Sequence, residues 1–148
     1  MNTITIEELQ AAAPRWFASC FAYGAAFNTL DAGGLRAILD EDVIYNSQSV
    51  YEELVGKERV LWYLEGKIQT LQRSGKRAEV FMEIAGSPDG GLTPGLVVSQ
   101  RSNALEPPNK MAWLDFRYAE SGLITSLCMC TVAPSPRSAF RTGFFPGR

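Results

Sequence analysis

The sequence predicts an α+β domain, with helices packed on one face of a sheet. Two features carry this. From Arg15 to Leu30 and again from Lys57 to about Arg73 the large apolar residues follow the spacing of a helix face. Beyond it, short β-rich runs alternate with turn-forming Gly, Pro and Asn clusters. Helices followed by a meander of strands describe an α+β layer rather than alternating βα units. The chain has 148 residues, 46% hydrophobic and 20% charged. That suits one globular domain.

Thr5 and Glu8 have capping-box spacing and start the first helix. Pro14 opens a second segment, because proline fits a first helical turn. Trp16, Phe17, Cys20, Phe21, Tyr23, Gly24, Phe27 and Leu30 make its stripe. Asp31 caps a short helix running to about Leu39, whose first turn Gly33 and Gly34 weaken. Val43 to Ser49 reads as a strand and Glu52 to Gly56 as a connection. Lys57 to about Arg73 is a helix with Val60, Leu61, Leu64, Ile68 and Leu71 on one face. Four strands follow, at Arg77–Ala85, Leu96–Arg101, Lys110–Tyr118 and Leu123–Val132. Glu120-Ser121-Gly122 makes a tight hairpin turn between the last two. Gly86 to Gly91 lacks the Lys-Ser/Thr of a phosphate loop and is a turn.

Composition excludes several functions. With 14 Lys+Arg against 16 Asp+Glu, the chain has no basic excess for nucleic acid. It contains no histidine, which removes every Ser-His-Asp, Cys-His and histidine-zinc scheme. Cys20, Cys128 and Cys130 are an odd set, so they make no disulfide framework. Cys128 and Cys130 share a strand face, but a metal needs more ligands than they supply; they read as buried or interface thiols. No metal or cofactor is expected. The N-terminus lacks a basic, apolar leader, and no apolar run approaches the roughly 20 residues of a membrane span. The default expectation is a cytoplasmic protein that binds neither membrane nor nucleic acid.

Three strings in order resemble one family. Asp31 to Tyr45 resembles the helix-to-first-strand segment of the nuclear transport factor 2-like superfamily. Gly56-Lys57-Glu58-Arg59-Val60 resembles the start of its third helix, and Phe116 to Ile124 its last hairpin. The resemblance falls toward the polyketide cyclase, ketosteroid isomerase and SnoaL-like branch. It implies three N-terminal helices in the concave face of a strongly curved mixed or antiparallel sheet, a cystatin-like cone. It also implies an apolar pocket between the layers and a homodimer through the outer sheet face. One such domain would span residues 1–133, leaving 134–148 as a tail, flexible or packed on the dimer partner. Arg137, Arg141 and Arg148 in that tail could also bind anions.

The isomerase chemistry implied by the resemblance uses an aspartate base and an oxyanion hole of tyrosine and protonated aspartic acid. The matching positions here hold Ser47, Ala26 and Leu114, and the supporting tyrosines fall at Leu39 and Leu64. Serine without a basic partner is not ionised near neutral pH, so that mechanism is not expected. An epoxide-hydrolase triad is incomplete, because Cys128 to Val132 contains no acid. The resulting expectation is an apolar or aromatic small-molecule binder of unspecified ligand. Its pocket would be lined by Tyr45, Ser47, Tyr63, Met82, Leu114, Phe116 and Met129, with Arg101 another candidate. The competing readings are an enzyme of the cyclase, isomerase or dehydratase type, using Glu83, Asp115 or Asp42 as base, and a dimerisation module anchored by Trp113 and Phe81. Glu79 and Glu83 read more simply as a solvated or interface face, and Asp115 with Arg117 as an ion pair opposite the pocket.

Overall fold

The structure, a computed structural model, describes residues 3–47, 52–74, 79–101, 110–131 and 139–148. Helix α1 is Ile6–Ala12 and α2 is Pro14–Thr29. The capping box at Thr5 and Glu8 forms as expected. Helix α2 stops at Leu30, which takes a left-handed conformation at φ 55°. Asp31 then donates its backbone N–H to the Ala26 carbonyl at 2.9 Å, closing the exposed end of the helix.

The expected short helix after Asp31 is instead two 3-10 turns, Ala32–Gly34 and Arg36–Ile38. The glycine pair and the early start of the next strand leave too few residues for a costly α-helical nucleus. Strand β1 is Leu39–Ser47; the expected end at Ser49 lies outside the described residues. Within the predicted connection, Leu54–Val55 forms β2, paired with Tyr45 and Ile44. Helix α3 is Lys57–Ser74. Strands β3 Glu79–Gly86, β4 Pro94–Arg101, β5 Lys110–Tyr118 and β6 Ile124–Thr131 follow.

The sheet is mixed, in the order β2-β1-β6-β5-β4-β3-β7, with β1 parallel to β6 and the rest antiparallel. Its last member, β7, is Phe140–Phe144. This corrects the expectation of a flexible or partner-bound tail, since residues 140–144 pair with β3 of their own chain. Arg137 lies outside the described residues. Charge explains why β7 docks. Glu83 on β3 is only 2% exposed. Its carboxylate accepts from Arg141 Nε at 2.7 Å, from Arg141 Nη2, and from the Gly143 backbone N–H at 2.7 Å. A buried carboxylate is tolerated only with such partners. Where β7 ends, Asn28 of α2 continues its role. Its amide accepts from Met82 N at 2.8 Å, and donates to Met82 O at 2.9 Å and to Pro146 O at 2.8 Å.

The two sheet faces separate cleanly. On the inner face Ile84, Leu96, Leu114, Phe116 and Leu127 pack with Phe17, Tyr23, Phe27, Val60, Leu64 and Ile68 of the helices. On the outer face Ala85, Val97, Trp113 and Ala139 form a second, smaller cluster. The β5–β6 turn is pinned to α2: Trp16 Nε1 donates to Ala119 O at 3.3 Å, and Ser19 Oγ to Gly122 O at 2.5 Å. Gly122 needs its glycine, with φ at 91° and the Arg15 carbonyl 3.0 Å from where a Cβ would stand. Among the described residues, no helix is long and apolar enough to cross a membrane.

Trp113 sits over Gly95, so that a Cβ there would meet the indole at 2.5 Å. Gly95→Ala is therefore expected to cost about 1–3 kcal/mol by overpacking. Urea unfolding reads this as a lower midpoint with an unchanged slope.

Candidate functional site

Polar groups are scarce on the inner face, and those present gather between β1 and α3. Tyr45 projects inward from β1, where strand alternation sets it beside Val43 on the core side. Tyr63 and Lys67 are four residues apart on α3 and so share one helix face. The Tyr45 and Tyr63 rings meet with centroids 5.0 Å apart. Lys67 donates to the Tyr45 hydroxyl at 3.3 Å. Its ammonium also lies 5.7 Å from the Tyr45 ring centre and 5.1 Å from that of Tyr63. Those are cation–π distances. Tyr23 of α2 approaches from the other side, edge-on to Phe116 at 5.3 Å and against Phe27 at 5.2 Å.

Protonation follows from this packing. Burial raises the Tyr45 phenol, although the Lys67 ammonium pulls the other way. Burial raises Tyr23 well above an ordinary tyrosine, with Tyr45 and Tyr63 adding to it. For Lys67, burial opposes the charge, but the two tyrosines outweigh it and the ammonium is held above its usual range. At neutral pH the Tyr45 phenol is therefore neutral beside the Lys67 ammonium. The site can donate hydrogen bonds and favours a negative or electron-rich oxygen. Among the described residues, no carboxylate forms an ion pair with Lys67.

The seven expected lining residues fall on one side of the sheet. Tyr45, Met82, Leu114 and Phe116 belong to the buried core, and Tyr63 and Met129 pack against it. Ser47 is partly buried at the end of β1, paired with Met129. Ala26, Leu39 and Leu64, the other positions compared with the isomerase pattern, are core residues as well. Arg101 is not with them. It pairs with Glu79, itself on the Glu83 side of β3, and donates Nε to its carboxylate at 2.6 Å. The proposed alternative bases also miss the interior. Glu83 is bound to Arg141, Asp115 alternates away from Leu114 and Phe116, and Asp42 is exposed. Glu79 and Glu83 are thus not a solvated face but two arginine-paired carboxylates. Trp113, expected as an interface anchor, is 4% exposed and covered by its own chain. The sequence reading missed Lys67 and the inward role of Tyr23. A signal for Lys67 was present, since it falls on the Val60, Leu64, Leu71 stripe of α3, where a cation breaks the apolar pattern.

The architecture has many counterparts among solved structures. One is a steroid delta-isomerase from Pseudomonas aeruginosa, with TM-score 0.56, 17% identity and 83% of each chain covered. A second is a nuclear transport factor 2-like protein of unknown function from Mesorhizobium loti, with TM-score 0.60, 7% identity, and 82% of this chain and 93% of that one covered. The chain has the nuclear transport factor 2-like fold. A third member of the group, from Mycobacterium tuberculosis, was solved in complex with estradiol-17β-hemisuccinate. Its TM-score is 0.55 and its identity 18%, over 78% of this chain and 92% of that one. No family model matches the sequence, and no curated protein is significantly similar to it. At these identities the likeness is one of fold, which hosts many functions.

The raised phenols give a pH prediction. The unfolded chain releases tyrosine protons near pH 10, whereas Tyr23, Tyr45 and Tyr118 keep theirs when folded. Their contribution is full below about pH 10 and is lost as pH rises above it. The denaturant midpoint should fall between roughly pH 8 and pH 10.5. Phenolate absorbance of the native protein should lag behind that of the unfolded chain. Coincident titration curves would show that the phenols are not buried.

Proposed function

We propose that this protein binds a small apolar or aromatic molecule within the cone, oriented through an oxygen atom by Lys67, Tyr45 and Tyr63. One observation carries the reading. Lys67 is partly buried against an apolar core, and its polar neighbours are two phenols rather than a carboxylate. Its ammonium is held by one hydroxyl and two aromatic rings, and among the described residues no carboxylate is ion-paired with it to compete with an incoming anion. A perturbed group of this kind beside an apolar layer marks a candidate ligand site. Tyr45, Tyr63, Met82, Leu114, Phe116 and Met129 supply the apolar contacts, and Ser47 a further polar one. The solved relative named in complex with estradiol-17β-hemisuccinate supports a binding role on this fold without specifying the ligand here.

An enzymatic reading has half of what it requires. Two tyrosine hydroxyls and an ammonium suit a developing oxyanion, as hydrogen-bond donors do in oxyanion holes. None of the three carboxylates considered as bases reaches the interior, so proton abstraction has no assigned residue. Binding is accordingly the reading preferred.

The test compares 2-naphthoate with the neutral 2-acetylnaphthalene by isothermal titration, in the wild-type protein and in Lys67→Met. Naphthoate affinity should drop about tenfold, the scale of a lost charge-assisted hydrogen bond, and acetylnaphthalene affinity should change much less. Equal losses for both, or no binding of either, would falsify the orientation by Lys67. Tyr45→Phe should retain the fold and weaken both ligands.

A further inference from the structure

The arginines of the C-terminal segment are not used by the cone. Together with the outer face of β3 and β4 they line a separate cleft of about 530 Å³. That volume lies within the usual range for small-ligand pockets, roughly 300–1,000 Å³. Its walls combine Phe81, Phe145 and Ser99 with the guanidiniums of Arg101, Arg141 and Arg148. Two of those guanidiniums lie on one aromatic ring. Arg101 is 4.8 Å from the centre of Phe81, and Arg148 is 4.1 Å from it.

Two of the three guanidiniums in this cleft are paired with carboxylates. Glu83 is buried and accepts from Arg141 and the Gly143 N–H, and Glu79 accepts from Arg101. Arg148 is exposed, and among the described residues no carboxylate forms an ion pair with it. Three guanidiniums thus line one cleft, two of them paired with Glu79 and Glu83. Guanidinium forks recognise carboxylate and phosphate through paired hydrogen bonds. The phenylalanines beside them offer a flat apolar wall.

We infer that this cleft is a second binding site, for an organic anion: a carboxylate or phosphate carried on a flat apolar body. Arg148, seated on Phe81, is its main charge contact, Arg141 holds β7 in place and adds a second guanidinium, and Phe145 takes the body. The site is independent of the cone, because Lys67 and the arginine cleft lie on opposite faces of the sheet.

Nuclear magnetic resonance on the full-length ¹⁵N-labelled chain tests it. Benzoate, phenyl phosphate and inorganic phosphate are titrated separately while the arginine Nε–Hε signals are followed. Saturable shifts of the Arg148 and Arg141 signals are expected with benzoate or phenyl phosphate. The tighter of the two identifies the anionic group. Arg148→Ala should weaken that ligand about tenfold, because one charged hydrogen-bond donor pair is removed. Arg148→Lys should restore part of the loss, since it keeps the charge but not the fork. Unchanged affinity in Arg148→Ala overturns the inference. So does inorganic phosphate binding as tightly as phenyl phosphate, or the absence of any saturable shift in the arginine signals. Thermal unfolding of Arg148→Ala confirms that the exposed substitution leaves the fold intact.

Discussion

The two-residue period of the strands is the constraint on which this structure depends. Along β5, Leu114 and Phe116 go to the helices while Trp113 and Asp115 go to the other side. Along β3, Met82 and Ile84 go in while Glu83 and Ala85 go out. A shift by one residue would bury Asp115 and Glu83 among leucines and expose the core set. The register therefore decides both stability and chemistry. It clears carboxylates from the inner layer and gathers charge on the outer one.

Within the inner layer, Lys67 is the exception that gives the cone a direction. Its ammonium rests on two aromatic rings and one hydroxyl. This arrangement lets a charge persist next to apolar packing without a partner carboxylate. The phenols remain protonated because burial makes phenolate the costlier state.

Much of the fold was legible in the sequence, for local reasons. The capping box at Thr5 and Glu8, proline at the start of α2 and the turn ending at Gly122 are short-range signals, and each formed where expected. The bounds of β5 were read as they occur. What escaped depends on distant partners. β2 has two residues and exists only by pairing with β1. β7 is only five residues long, with a glycine one from its end, and its docking is set by a carboxylate 58 positions away in sequence. The candidate site divides in the same way. Alternation separated Leu114 and Phe116 from Trp113 and Asp115, and the resemblance of the last hairpin to the family's chose which pair faces inward. Arg101 was misplaced because a lone polar residue at a strand end carries no sign of which face it takes. Lys67 was missed because lysine on a helix is ordinarily a solvated residue.

Asn28 and β7 also bear on how the protein behaves in a crowded solution. A long strand at the border of a sheet exposes unpaired N–H and C=O groups, and any other extended chain can add to it. β3 would be such a border if the sheet stopped there, with Phe81 and Ile84 along its length. β7 takes up one stretch of that border, and the Asn28 side chain satisfies both backbone groups of Met82 beyond it. The new border, β7, is only five residues long, and Ile4 covers part of it by donating to the Arg141 carbonyl at 3.1 Å. Ile4 and residues 140–144 thus lie along a strand that would otherwise offer unpaired backbone groups to another extended chain.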